Sequence, residues 1–181
     1  MKRTIVNPII KDTVTFIKTA EETQGKISEL ELTLQPSGGN VLHYHNYSEK
    51  FTAIEGDLGL IIGKKRQSMT LRPGDTFTVP PMELHNFYNP SSDREIKFGV
   101  QIVPGHQGFE YMLRILYGLA SDGLTDNESK PKSLKYMAII VDLGEINVPG
   151  LFTLISPILK MIAKKAKKNG DYKKLIETYC L

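Results

Sequence analysis

Three of the four histidines of this 181-residue chain fall in two short blocks that are distant along the sequence. The first block contains His43, His45 and Glu49, and the second contains His85. Three imidazoles and one carboxylate are sufficient to hold a divalent transition metal while leaving coordination positions open. Whatever fold the chain adopts, it must bring these two blocks together if they share one ion.

The spacing within the first block favours a β-strand. Side chains two residues apart on a strand project from the same face, so His43 and His45 would point into one space, whereas on a helix they would diverge. A buried Glu49 without a positive partner would cost several kcal/mol or take up a proton. We therefore predict a metal site formed by His43, His45, Glu49 and His85.

The alternation of side chains around these blocks also predicts a substrate pocket. Residues an even number of positions from a ligand on the same strand should face the same interior as that ligand, and most of them are apolar. The predicted pocket residues are Val41, Phe51, Ala53, Phe87 and Asn89. For Asn89 we favour a second role, in which it satisfies backbone groups at a strand end.

Residues 13–103 consist of short apolar or alternating runs separated by turns rich in glycine and proline. This pattern is typical of an all-β sandwich or barrel. Strands are predicted at 14–19, 27–34, 41–45, 50–54, 58–62, 68–71, 76–79, 84–89 and 96–103.

After Pro104 the hydrophobic period becomes helical. Helices are predicted at 107–120 and 151–168, and the second should end at Asn169 and Gly170. Residues 134–146 fit a helix or a strand, and we favour the helix. The apolar face predicted for the 151–168 helix consists of Leu151, Ile155, Ile158, Ile162 and Ala166.

The net charge of +3 is unevenly distributed. Residues 151–181 contain seven lysines and two acidic residues, whereas the first 150 residues contain 16 basic and 18 acidic residues. Pro157 and Lys160 interrupt the apolar part of the last long helix, which is too short to cross a bilayer. We expect this helix to dock on the β domain or on a partner subunit, and contact with a membrane surface is the weaker alternative.

Several classes of protein are disfavoured by composition. Cys180 is the single cysteine, so the chain has neither a disulfide framework nor a cysteine-based zinc site. No basic patch with interleaved aromatic residues occurs before the tail, so we expect no nucleic-acid binding. The N-terminal residues lack the apolar core of a signal peptide, and we expect a cytoplasmic protein.

The two histidine blocks resemble the two motifs of the cupin superfamily. In the first motif, His43, His45, Glu49 and Gly56 stand at the expected spacing, with Ser37 at the leading glycine position. In the second motif, the chain supplies Gly74, Pro80, His85 and Asn89, while Met82 replaces an internal glycine. The resemblance covers roughly residues 25–105 and is specific, because both motifs occur in the right order with all four ligand positions filled.

Membership of this family implies an RmlC-like jelly-roll barrel, or double-stranded β-helix, that binds a divalent metal through three histidines and a glutamate. We expect residues 1–105 to form the barrel and residues 106–181 to form a helical extension packed on the barrel or on a partner subunit. A homodimer is expected by analogy with the family.

The expected function is that of a small-molecule metalloenzyme, most plausibly a dioxygenase or related oxidoreductase. Iron, manganese, nickel, copper and zinc all suit the ligand set, and the sequence assigns no catalytic side chain beyond the ligands. The alternative is a non-catalytic cupin that binds or senses a small ligand and whose basic helix contacts a partner or a membrane.

Overall fold

The computed structural model describes residues 2–181, apart from the side chains of Leu151 and Phe152. These residues form nine β-strands followed by four α-helices. The strands are β1 (Thr4–Val6), β2 (Thr13–Lys18), β3 (Ser28–Leu34), β4 (Ser48–Glu55), β5 (Leu58–Ile62), β6 (Gln67–Leu71), β7 (Thr76–Val79), β8 (His85–Tyr88) and β9 (Ile96–Val103). The helices are α1 (Gln107–Ser121), α2 (Leu134–Gly144), α3 (Leu151–Lys168) and α4 (Asp171–Tyr179).

The strands form two antiparallel sheets. One has the order β1-β2-β3-β9-β4-β7 and the other has the order β6-β5-β8. Isolated antiparallel bridges, Gly39 with Tyr88 and His43 with His85, connect the segment before β4 to β8. The predicted class, a β-sheet domain with a helical C-terminal extension, is confirmed.

Alternation of side chains places the core between the sheets. On β9, every second residue from Ile96 to Ile102 is buried, and Phe51 and Phe98 pack against one another in the same cluster. Each fully buried apolar side chain of this size stabilises the fold by roughly 1.5–3 kcal/mol relative to exposure. The core therefore fixes which face of β4, the strand that carries Glu49, points inward.

Three segments differ from the prediction. Residues 41–45 do not form a strand, because only His43 and Tyr44 make isolated bridges there and the chain bends at Leu42. β1 was not predicted, since three residues are too few to show a period. α4 was not predicted either, although Gly170, with φ of 83°, ends one helix and starts the next.

Helix α2 settles the ambiguity at residues 134–144 in favour of a helix. The hydroxyl of Ser133 caps its first turn by accepting from the backbone N–H of Tyr136, and Glu145 ends it in the left-handed region at φ 52°. Together α1, α2, α3 and α4 enclose a second core. Strands end at Val103 and helices begin at Gln107, while the predicted domain boundary at residue 105 stays a prediction.

The buried face of α3 differs from the predicted one. Leu159, Ala163 and Ala166 are buried and Ile155 and Ile162 are half-buried, but Ile158 is exposed. The side chain of Leu151 lies outside the described residues. Helical periodicity fixes which residues share a face, but it does not fix how wide the covered part of that face is. Among the described residues, no helix combines the length and apolar character needed to span a bilayer.

The N-terminal segment is tied to the helical extension and contains a buried carboxyl group. Asn7 is fully buried and donates to the hydroxyl of Ser129. Asp12, a few residues later, is also buried, and its carboxylate accepts a long hydrogen bond from the backbone of Gln35. Burial raises the pKa of Asp12 to about 6, and the bond from Gln35 only partly offsets this effect.

This raised pKa predicts a pH-dependent difference in stability between the protein and Asp12→Asn. Since the folded state holds the proton more tightly, the contribution of Asp12 is fully present below its unfolded pKa of 3.8 and is lost as the pH rises through about 6. The free energy of unfolding of the variant, minus that of the natural chain, should therefore increase by up to about 3 kcal/mol from pH 4 to pH 7. Urea titrations at each pH measure it, and a constant difference would contradict the assignment.

Candidate metal centre

The four predicted ligands converge on one buried point. One ligand atom from each of His43, His45, Glu49 and His85 lies within 4.8 Å of all the others. The four residues are 6%, 1%, 5% and 0% exposed, respectively. Side chains from two distant sequence blocks thus share a space from which bulk water is nearly excluded.

Backbone pairing holds the two blocks together. His43 and His85 exchange both backbone hydrogen bonds, each with N···O of 2.9 Å. Glu49 lies on β4 opposite Val79 of β7 on one side and Ile102 of β9 on the other. The position of each ligand is therefore set by main-chain contacts that do not depend on the presence of an ion.

Each imidazole is oriented by a nearby backbone carbonyl. Nδ1 of His43 lies 2.9 Å from the carbonyl oxygen of Val41, Nδ1 of His45 lies 2.9 Å from that of Tyr47, and Nδ1 of His85 lies 2.8 Å from that of Glu83. A carbonyl can only accept, so Nδ1 carries the proton in all three rings. Nε2 is then the nitrogen that would bind a metal once no proton occupies it, as in many metal-binding histidines.

Glu49 links two of these rings. One oxygen of its carboxylate lies 3.2 Å from Nε2 of His45 and 3.0 Å from Nε2 of His85. Burial raises the pKa of Glu49, but the hydrogen bonds from the two rings outweigh burial and hold the pKa at about 2. For His85, burial lowers the pKa, but the hydrogen bond and the charge of Glu49 raise it by more, so the pKa of His85 lies above its usual value.

His43 behaves differently from His85. Burial, with a smaller effect from His85, lowers the pKa of His43 to about 4, so its imidazole is neutral at pH 7. The centre therefore offers a carboxylate and at least one neutral imidazole, and a metal would replace the proton held between Glu49 and His85. Three nitrogen donors and one oxygen donor, each already oriented, fit a divalent transition metal.

The turn before His85 keeps its shape without the glycine of the family motif. Met82 adopts φ of 65°, the left-handed conformation that glycine takes without cost, and its N–H donates to the carbonyl of His45 at 2.7 Å. A non-glycine residue in this region costs roughly 1–2 kcal/mol. The bond between Met82 and His45 ties the second block to the first and offsets part of this strain.

The predicted pocket residues have different surroundings. Phe51 and Ala53 are fully buried in the core, and Phe87, which is half-buried, packs against it. The ring centroid of Phe51 lies 6.3 Å from that of His85 and 5.9 Å from that of Phe87, so two aromatic rings flank this side of the centre. Their role as walls of a substrate pocket stays a prediction.

Two of the predicted pocket residues have other surroundings: Val41 is exposed, and the buried Asn89 bonds backbone groups. Val41 is 57% exposed, and its contribution to the centre is the carbonyl that accepts from His43. The side chain of Asn89 is fully occupied: it donates to the carbonyls of Leu34, Gln35 and Arg94 and accepts from the N–H of Ser91. The alternative role predicted for Asn89, bonding backbone groups at a strand end, is the observed one.

Sequence reasoning missed the contacts between the ligands and the helical extension. The ring of Tyr47 stacks on His45 with centroids 3.8 Å apart, and its hydroxyl donates to the carbonyl of Gly144 at the end of α2. Tyr44, between two ligands, exchanges both backbone hydrogen bonds with Asn147. No periodicity marks these residues, because each bond joins positions about a hundred residues apart.

The fourth histidine, His106, has a capping role. Its Nδ1 accepts from the N–H of Phe109 at 2.8 Å and caps α1. Its ring lies 4.9 Å from Tyr47 and its Nε2 lies 3.4 Å from Glu145. His106 also borders a cavity of about 630 Å³ between the β domain and the helices, into which Asn46 and Asn147 project.

A family model for the cupin domain matches residues 30–102, which include all four ligands. This segment is a cupin domain. The match covers most of β3 and β9 and all of the strands between them, whereas β1, β2 and the helices lie outside the matched region. No curated protein matches the sequence of the chain.

Solved structures similar to this chain include other cupins. An RmlC-like cupin from Shewanella frigidimarina aligns with a TM-score of 0.50 at 16% identity, over 58% of this chain and 86% of that one. The polyketide cyclase RemF from Streptomyces resistomycificus has a TM-score of 0.46 at 20% identity over 51% of this chain, which spans 64% of RemF. A predicted oxalate decarboxylase from Thermotoga maritima has a TM-score of 0.48 at 17% identity, over 52% of this chain and 81% of that one. The Shewanella match supports the fold alone, and the other two carry no argument about this chain.

The convergence of ligands predicts that single substitutions abolish metal binding. In His43→Ala or His85→Ala one of the four donors is lost, and the amount of iron, manganese, nickel, copper or zinc retained after dialysis should fall from near one per chain to background. Elemental analysis of the purified protein measures it. His106→Asn, which can still cap α1, serves as the matched control and should retain the metal. Equal retention in all variants would contradict the site.

Tyr47 is predicted to act as a positioning residue for His45. Tyr47→Phe keeps the ring that stacks on His45 but removes the bond to Gly144, which should lower the free energy of unfolding by about 1 kcal/mol. The bond to Gly144 also anchors residue 47, whose carbonyl orients His45, so its loss should loosen that contact and lower metal affinity by roughly tenfold. Isothermal titration with Zn²⁺ measures the affinity.

Tyr179→Phe is the control for Tyr47→Phe, since it removes a phenol bond to Asp122 far along the chain from the ligands. Its metal affinity should match that of the unmodified protein. If Tyr47→Phe is also unchanged in affinity while losing stability, then Tyr47 has only a structural role.

Proposed function

We propose that this cupin is a metal-dependent enzyme that acts on a small organic molecule, most plausibly a dioxygenase or related oxidoreductase. The observation that carries the proposal is the buried set of three imidazoles and one carboxylate, in which every Nδ1 is bound to a carbonyl and Nε2 of His45 and of His85 meets the carboxylate of Glu49. A structural zinc site is usually closed by four ligands in a tetrahedron, whereas a metal that accepts six ligands keeps positions for other molecules.

A metal bound here would supply Lewis acidity or the activation of dioxygen. The surrounding residues would exclude water and orient the organic molecule. Phe51 and Phe87 present aromatic rings on one side of the centre. The low dielectric of this buried space strengthens the interaction between Glu49 and any cation. We further propose that the protein works as a homodimer in the cytoplasm, the same expectation that the sequence raises.

Oxygen consumption tests the catalytic proposal. Protein loaded anaerobically with Fe(II), and separately with Mn(II), Ni(II), Cu(II) or Zn(II), is mixed with panels of small organic molecules in an oxygen electrode. We expect at least one combination to consume oxygen in proportion to the substrate added. His43→Ala, treated identically, should give the rate of buffer alone. Metal binding without turnover of any substrate would count against an oxidoreductase and favour the alternative below.

A second candidate function is a non-catalytic cupin that senses a small ligand through its metal. The contacts of Tyr44 with Asn147 and of Tyr47 with Gly144 favour it, because they join the ligand-bearing segment directly to the end of α2. Hydrogen exchange distinguishes the two candidates. A sensor requires that amides of α2 and α3 change their protection when metal and ligand bind, whereas an enzyme needs no such change.

A further inference from the structure

Among the side chains of α3 that the structure describes, three large apolar ones are exposed in a line. Leu154, Ile158 and Met161 are 75%, 51% and 64% exposed, and their spacing of four and three residues places them on one face. We call these three residues the outer stripe. The opposite face of α3, with Leu159, Ala163 and Ala166, is buried against the rest of the helical extension. The outer stripe is therefore no part of the packing that holds α3 in place.

The same helix carries five lysines and no acidic residue over its 18 positions. All five are exposed. Lys165, four residues after Met161, continues the line of the outer stripe, and Lys164 and Lys168 flank that line. The lysines of α3 are Lys160, Lys164, Lys165, Lys167 and Lys168. The apolar half of the exposed surface is thus adjacent to a strongly basic half.

We propose that the outer stripe and its lysines dock on the anionic surface of a phospholipid bilayer. A helix with one apolar and one basic exposed side can bury its apolar side chains at the acyl boundary while the lysines contact the headgroups. Lysine suits this position because its long aliphatic stem lies along the apolar boundary and its ammonium group stays in water. We place the contact at the bilayer surface, because Pro157 and Lys160 interrupt the apolar sequence of α3 well short of the roughly 20 residues that a span requires.

A second copy of the chain fits this face poorly. A two-fold interface would bury this surface on both subunits, including Lys164, Lys165 and Lys168 beside the outer stripe, and α3 carries no acidic residue to pair with them. An anionic bilayer supplies both the opposite charge and an apolar phase. The charge distribution of the whole chain also orients it, since the excess of basic residues lies in 151–181 and the first 150 residues are slightly acidic.

Vesicle co-sedimentation of the full-length protein tests the proposal. The protein should sediment with vesicles of mixed phosphatidylcholine and phosphatidylglycerol, and not with phosphatidylcholine alone. Added salt should weaken the binding, because exposed charges are screened. Lys164→Glu/Lys168→Glu should lower the partition coefficient by about tenfold or more, and Leu154→Ser/Met161→Ser should lower it by a similar factor. Removal of the metal should not change binding, so this test is independent of the proposed function.

Matched controls carry the same chemical changes elsewhere on the surface. Lys64→Glu/Lys65→Glu alters the exposed turn between β5 and β6, and Val6→Ser/Ile17→Ser removes exposed apolar groups of the first strands. Both should bind vesicles within about twofold of the unmodified protein. Circular dichroism melts verify that each variant is folded.

Three results would overturn the proposal. One is the absence of sedimentation with anionic vesicles at low ionic strength, and another is an equal effect of the control and α3 variants. The third is a dimer in analytical ultracentrifugation that dissociates in Leu154→Ser/Met161→Ser while vesicle binding is absent, which would identify the outer stripe as a subunit interface.

Discussion

Glu49 holds a negative charge in a space that water hardly reaches, and the architecture of the β domain follows from what that charge requires. An isolated buried carboxylate would cost several kcal/mol or become protonated, so its partners must arrive from elsewhere in the chain. Two imidazoles meet one of its oxygens at 3.2 and 3.0 Å. Those rings come from different sequence blocks, which the paired backbone of His43 and His85 joins. Removing one ring would take away one of these two contacts, whereas a divalent metal would place a full opposite charge beside the carboxylate.

The parts of the structure that the sequence predicts are those with a local or repeating signal. His43, His45, Glu49 and His85 meet as their spacing indicates, and the strands from β2 to β9 follow runs bounded by glycine and proline turns. The segment at 41–45 was assigned to a strand, yet its two histidines still converge. They do so because His43 is bridged to His85 and each ring is held by a carbonyl two residues away, so a regular strand is unnecessary.

The parts that the sequence does not predict depend on contacts between distant residues. The strand alternation places Asn89 on the same face as His85, but its side-chain amide is hydrogen-bonded to four backbone groups. Ile158 shares the face of Ile155 and Ile162, but it lies at the edge of that face and stays outside the cluster against which those two residues pack. Met82 occupies a glycine position in the left-handed region, and the strain is tolerated because its N–H is needed by His45. In each case the outcome is set by what lies opposite the residue in space.

The pairing of Tyr44 with Asn147 has a consequence for how this polypeptide can be divided. Sequence comparison draws a border after β9, yet the main chain of the second part completes the hydrogen bonding of the first part between two of its histidines. The segment that the family model matches is therefore shorter than the segment that must fold together to complete these hydrogen bonds. If the two sheets alone were grafted onto another protein, the N–H and C=O of Tyr44 would lose their partners in Asn147. The host protein would have to provide a backbone donor and acceptor at that position.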